Sequence, residues 1–125
     1  MRSLKYLALI IGMLLVSATA STVRAPTVYI EWQAPMFYVD GLELPPQNIS
    51  HFTVHFGTMS KSYSWTQEIP GSERSANIVV PHNGNWYIAM TATDIFNLTS
   101  DFSNEVMRTA TNGPKRPKAM RISFI

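Results

Sequence analysis

The chain has 125 residues, a formal net charge of +2, a hydrophobic fraction of 46% and a charged fraction of 14%. That length allows one domain, and the composition excludes a disordered acidic chain, a collagen-like chain and a coiled coil. Cysteine is absent, so a disulfide framework, a thiolate zinc site and a cysteine nucleophile are excluded too.

Residues 1–20 have the layout of a secretory signal peptide. Arg2 and Lys5 form a positive start, Tyr6 to Val16 is an uncharged apolar run, and Ala18 and Ala20 supply the small residues of a cleavage site. Cleavage is expected after Ala20. The apolar run falls short of the roughly 20 residues that cross a bilayer. No membrane span is expected after cleavage, and an uncleaved anchor is the alternative. The expected location is secreted, periplasmic or extracellular.

Beyond the leader, apolar residues recur with period 2, the mark of strands with one buried face. In 27–33, Val28, Ile30 and Trp32 share a face. In 50–57, Phe52, Val54 and Phe56 oppose His51, Thr53 and His55. In 75–80, Ala76, Ile78 and Val80 alternate with Ser75, Asn77 and Val79. In 85–93, Trp86, Ile88, Met90 and Ala92 share a face. Phe102–Thr109 is a weaker final strand. Ala34-Pro35, Asp40-Gly41, Pro45-Pro46, Gly57–Ser60, Pro70-Gly71 and Asn83–Asn85 punctuate these runs with turn chemistry. Several short strands with such punctuation predict an antiparallel sandwich.

In order along the chain stand Trp32-Gln33-Ala34-Pro35, Asp40-Gly41, Ile49 leading into Phe52–Thr58, Tyr63, Pro70-Gly71, Asn83–Asp94 and Ser103-Asn104-Glu105-Val106. Taken together over residues 26–109, they resemble a fibronectin type III domain of the bacterial style. The resemblance implies an all-β, immunoglobulin-like sandwich of about seven antiparallel strands over 21–109. It makes Trp32 a core residue of strand B, 83–94 strand F and 103–106 the opening of strand G. Trp86 stands where the family has its corner tyrosine. An indole donates one hydrogen bond and accepts none, so the corner is expected to be altered or taken over by Tyr87. Two further departures are a short first strand, 21–26, and an unusually apolar loop from Ile95 to Ser100. No Arg-Gly-Asp triplet supports an integrin-type reading.

Catalytic chemistry has little support. The acids at 31, 40, 43, 68, 73, 94, 101 and 105 form no familiar pair and read as solvated turn or outward strand positions. His51 and His55 share a strand face but stand about 13 Å apart, too far to share one metal. No nucleophile-elbow or glycine-rich phosphate motif is present. The expectation is therefore no enzyme, no cofactor and no metal. The sequons at Asn48 and Asn97 read as turn asparagines.

Aromatic residues are the better lead. Tyr63 and Trp65 are expected to share one strand face, with Tyr87 also directed outward, as rings that stack on sugar or anchor a protein. Phe37 and Tyr38, with Phe96 from the later loop, form a second candidate surface at the sandwich end. The expected role is binding or adhesion, toward protein or glycan on a cell surface. A carbohydrate-binding accessory module and a structural spacer are the alternatives.

Residues 110–125 read as a separate, Pro-containing basic tail with Lys115, Arg116, Lys118, Arg121 and no acid. Within it Met120, Ile122 and Phe124 alternate as in a strand, suited to a sheet edge, to a partner or to a following domain. Residues 21–109 hold four basic and eight acidic residues, a net charge of −4. The overall pI of about 9.1 therefore belongs to the two ends of the chain, and nucleic acid is not expected as a partner of the domain.

Overall fold

Strand β1, Thr27–Trp32, alternates between half-buried and buried residues, as its period-2 pattern dictates. The same period places the apolar rows of β2 (Ile49–Gly57), β4 (Ser75–Val79) and β5 (Gly84–Asp94). However, β5 buries both of its rows from Ile88 to Asp94, because β2 and the chain around Ser100–Ser103 flank it on either side. The computed structural model describes residues 25–112 and 121–124. The expected signal peptide and the basic stretch 113–120 lie outside the described residues.

The fold is all-β, with two sheets. One has the order β4-β1-β7 and the other β3-β2-β5-β6, where β3 is Trp65–Pro70, β6 is Val106–Ala110 and β7 is Arg121–Ile122. The pairs are antiparallel apart from β1–β7, which is parallel. The described pairs within 21–109 are thus antiparallel, as expected, and the parallel pair is added by a strand from the segment read as a tail. The chain leaves β6 at Thr111, which bridges Thr27, and returns beside the far end of β1, so β7 runs with β1.

Val28, Ile30 and Trp32 from one sheet meet Phe52, Val54, Trp86, Ile88 and Met90 from the other in one core. Trp32 packs edge-on against Phe52, with ring centroids 5.4 Å apart. Each large apolar side chain buried this way contributes about 1.5–3 kcal/mol. A register shift on β2 between Ile49 and His51 adds Ser50 as an extra residue. Ile49 and Phe52, three residues apart, are consequently both buried.

Trp86 is fully buried, and its Nε1–H donates to the carbonyl of His82 at 3.1 Å. The upstream backbone bond expected of a corner residue is thus made by the indole, so Tyr87 is not required for it.

The expected last strand, 102–109, is regular only from Val106. Before it, the chain still runs beside β5, but two serine hydroxyls replace ladder carbonyls. Ser100 Oγ accepts from the Ala92 N–H, and Ser103 Oγ accepts from the Met90 N–H, each at 2.9 Å. Reciprocally, the Ser100 and Ser103 N–H groups donate to the carbonyls of Ala92 and Met90 at 2.8 Å.

The two described ends of the segment read as a tail are built into the sandwich. Ala110 closes β6 and is fully buried. Ile122 is fully buried beside Trp32, and Phe124 packs on Phe52 at 5.8 Å.

Candidate functional site

At the end of the sandwich where β1 stops and β5 stops, two loops stand side by side. The first follows the break at Ala34-Pro35 and doubles back as a small hairpin from Met36 to Leu44. The Leu44 N–H donates to Met36 O, Tyr38 N–H to Leu42 O, and Gly41 N–H to Tyr38 O, at 2.8–2.9 Å. Gly41 has φ 89°, a left-handed conformation that favours glycine and completes a tight hairpin loop. The chain apex is Val39-Asp40, and Val39 is as exposed as a side chain can be, at 103%.

The second loop is a tight turn built around Asp94. The sequence pattern suggested plain solvation for this acid, but the structure corrects that. Asp94 is only 5% exposed. Its position opposite Ile49, on the inward-facing row of β5, carries it to the end of the core. Oδ1 accepts the N–H groups of Phe96 and Leu98, at 3.0 and 2.8 Å, and Oδ2 accepts the Tyr38 hydroxyl at 2.8 Å. Burial alone would raise the carboxyl pKa. The Leu98 N–H, the Tyr38 hydroxyl and the Phe96 N–H outweigh it and hold the group below the usual carboxylate range. The same hydrogen bond, aided by burial, raises Tyr38 above the ordinary tyrosine value. One carboxylate thus fastens the hairpin to the turn. The Ile95 N–H, donating to Asn48 O at 2.8 Å, adds a backbone tie.

The two loops expose seven large apolar side chains: Met36, Phe37, Val39 and Leu42 from the hairpin, with Ile95, Phe96 and Leu98 from the turn. Between them lies a cavity of about 240 Å³, with Leu44, Ile49 and Ala92 in its wall and Phe37 and Leu98 beside them. Single exposed apolar residues are ordinary, whereas several gathered on two adjoining turns, with Phe37, Val39 and Leu98 lining one cavity, are the kind of feature that marks an interaction site. The hairpin also carries the exposed acids Asp40 and Glu43, and Asp101 follows the second loop. Arg74 stands at the same end, its carbonyl accepting the Trp32 N–H and its guanidinium 5.6 Å from the Phe52 ring.

Phe37, 56% exposed, and Phe96, 70% exposed, both belong to this end, as the sequence suggested. Tyr38 belongs to it differently: it is half-buried against the core, with its hydroxyl committed to Asp94. Met36, Val39 and Leu42 were not singled out from sequence. The signal for Val39 and Leu42 was Val-Asp-Gly-Leu, a turn with apolar flanks.

The other candidates do not join this surface or each other. Tyr63 precedes β3, so the period-2 rule does not connect it to Trp65. Its ring lies beside His55 and Phe102 on the outer face of the larger sheet. Its hydroxyl donates to Glu105 Oε1 at 2.6 Å. Burial, and then that bond, pushes the Tyr63 pKa well up. Burial would likewise raise Glu105. The Ser60 and Tyr63 hydroxyls and the Lys61 N–H outweigh it and lower the carboxyl below its usual range. Trp65, opposite Phe56 in β2, turns to the core side instead. It stacks on Phe56 at 6.3 Å, meets Trp86 at 5.2 Å, and remains 39% exposed. The expected shared face is therefore absent. Tyr87 is half-buried on the outer row of β5, with Gly57 and Met107 as cross-strand neighbours.

Comparison of the chain with protein-family models, curated proteins and solved structures finds no match. Its residues and their geometry carry the functional reading.

Proposed function

We propose that this chain is an exported, non-catalytic binding module on a fibronectin type III-like sandwich, and that its loop end holds a protein partner. Export rests on the layout of residues 1–20. The family likeness is supported by strand order. With β1 and β4 as strands B and E, and β2, β5 and β6 as C, F and G, neighbours fall as in immunoglobulin-like sandwiches. The Trp86 indole bond to upstream backbone supports it further.

One observation carries the binding reading: seven large apolar side chains stand in water on two mutually fastened loops, and three of them, Phe37, Val39 and Leu98, line a cavity there. A protein fits this end better than a glycan, because Tyr63 and Trp65 offer no common stacking face. It also fits better than a bilayer. Asp40 sits beside Val39 at the apex, and carrying an aspartate into hydrocarbon costs about 3 kcal/mol, far more than one valine returns.

The test compares the chain with a Phe37→Ser/Phe96→Ser variant, each immobilised and exposed to surface extract of its own source cells. A proteinase-sensitive partner should be retained by the first and lost by the second. Equal retention by both would sink the reading, and retention removed by glycosidase alone would restore the glycan alternative.

A further inference from the structure

We infer that the partner presents an extended peptide segment, apolar at its centre and flanked by Lys or Arg, one apolar side chain of which enters the cavity beneath the hairpin. This narrows the binding reading above and depends on it.

The cavity selects by what its wall lacks. Asp94 is its one charged lining residue, and both of its oxygens are spent on Tyr38, Phe96 and Leu98. The hydroxyls of Thr93 and Thr99 lie 3.0 Å from each other, one satisfying the other. What remains is the apolar surface of Leu44, Ile49 and Ala92, with Phe37 and Leu98 beside it. A wall of that kind rewards an apolar side chain and penalises a polar one, which would leave water without finding a partner.

The two loops themselves carry acids and no base, while the one cation described beside them, Arg74, is held with its guanidinium over Phe52 and bonded to the Gly71 and Glu73 carbonyls. Asp40, Glu43 and Asp101 are exposed on the two loops, with no cation in either. A negative field of this kind steers a cationic partner in and turns anionic ones away. An anionic lipid surface is disfavoured on that ground. So is a second copy docking end to end, which would set three exposed acids against three. Lys or Arg on either side of an apolar residue matches both the cavity and its surroundings. The hairpin and the Asp94 turn are held in place before binding, so little ordering opposes association.

The test is selection from a displayed library of random linear peptides, panned in parallel on the chain and on a Leu98→Ser variant. Sequences enriched on the chain should pair a large apolar residue with Lys or Arg flanks. Synthesised, they should bind the chain at least about tenfold more tightly than versions with Glu flanks, and the margin should shrink with salt. An Asp40→Asn/Asp101→Asn variant, altered only at exposed positions, should lose most of that margin while keeping its unfolding midpoint. Enriched peptides without bases, a margin indifferent to both salt and the two Asn changes, or equal enrichment on Leu98→Ser would each overturn the inference. So would binding of the chain to phosphatidylcholine vesicles, or self-association, abolished by Leu98→Ser in place of peptide binding. Any of these results, with Phe37→Ser/Phe96→Ser still losing its protein partner, refutes the basic peptide alone. Undiminished partner retention by that variant refutes the loop-end reading beneath it.

Discussion

Asp94 shows how one buried carboxylate organises a surface it does not itself display. Its folded pKa lies below the ordinary 3.8 and that of Glu105 below the ordinary 4.5, so the unfolded chain takes up those protons first as pH falls. Both groups therefore stabilise the fold above those values, and that contribution is lost as pH drops through the folded ones. His55 acts in the same direction from a higher pH. Burial lowers it from 6.5, so below that value the unfolded chain again gains the proton first. Tyr38 and Tyr63 are raised above 10.0, and their contribution is lost as pH climbs beyond it. Urea midpoints should accordingly be flat between about pH 7 and 9 and fall on both sides. A midpoint that rises on acidification from pH 7 to 4 would contradict this assignment. Asp94→Ala should speed amide exchange at Phe96 and Leu98, whose N–H groups lose their acceptor.

Among the elements, β7 carries more weight than its two residues suggest. Ile122 is fully buried beside Trp32, and Ile122→Ala should cost about 2–5 kcal/mol in denaturant unfolding. A frayed end would show almost no effect. At the far end of β2, Gly57 is buried where a Cβ would run into the Ser62 carbonyl oxygen. Gly57→Ala should destabilise by about 1–3 kcal/mol, read from the same unfolding curves. The serine-lined stretch before β6 explains why alternation there looked weak. Side-chain hydroxyls of Ser100 and Ser103 take hydrogen bonds that a regular strand would route through carbonyls.

At the scale of the whole molecule, the core and the proposed binding surface occupy different places. The core lies between the sheets, whereas the exposed apolar group sits on loops at one end. Val39→Ser and Phe96→Ser should therefore change unfolding free energy by no more than about 0.5 kcal/mol each, while binding at that end is lost. A large loss of stability in either would mean that these side chains serve the fold. Charge is uneven along the chain as well: residues 21–109 carry a net −4, and the basic residues of 1–20 and 110–125 together account for the high pI.

The sequence by itself determined the all-β class, most strand positions, the inward row of each long strand, and Phe37, Tyr38 and Phe96 as loop-end candidates. Alternation and turn chemistry are local, so residues such as Val28, Ile30, Phe52 and Ile88 announce their burial within a few positions of chain. Tertiary structure alone decided the rest, because each remaining question depended on an unlocal pairing. Tyr38 and Asp94, 56 residues apart, fasten the two loops together. Tyr63 and Trp65 look alike in spacing, but β3 begins only at the second, which sends their rings to opposite faces. Ile122 enters the core because β1 offers an edge that only the assembled sheet creates. Phe37, Val39 and Leu98 come to line one cavity only when the ends of β1 and β5 are brought side by side.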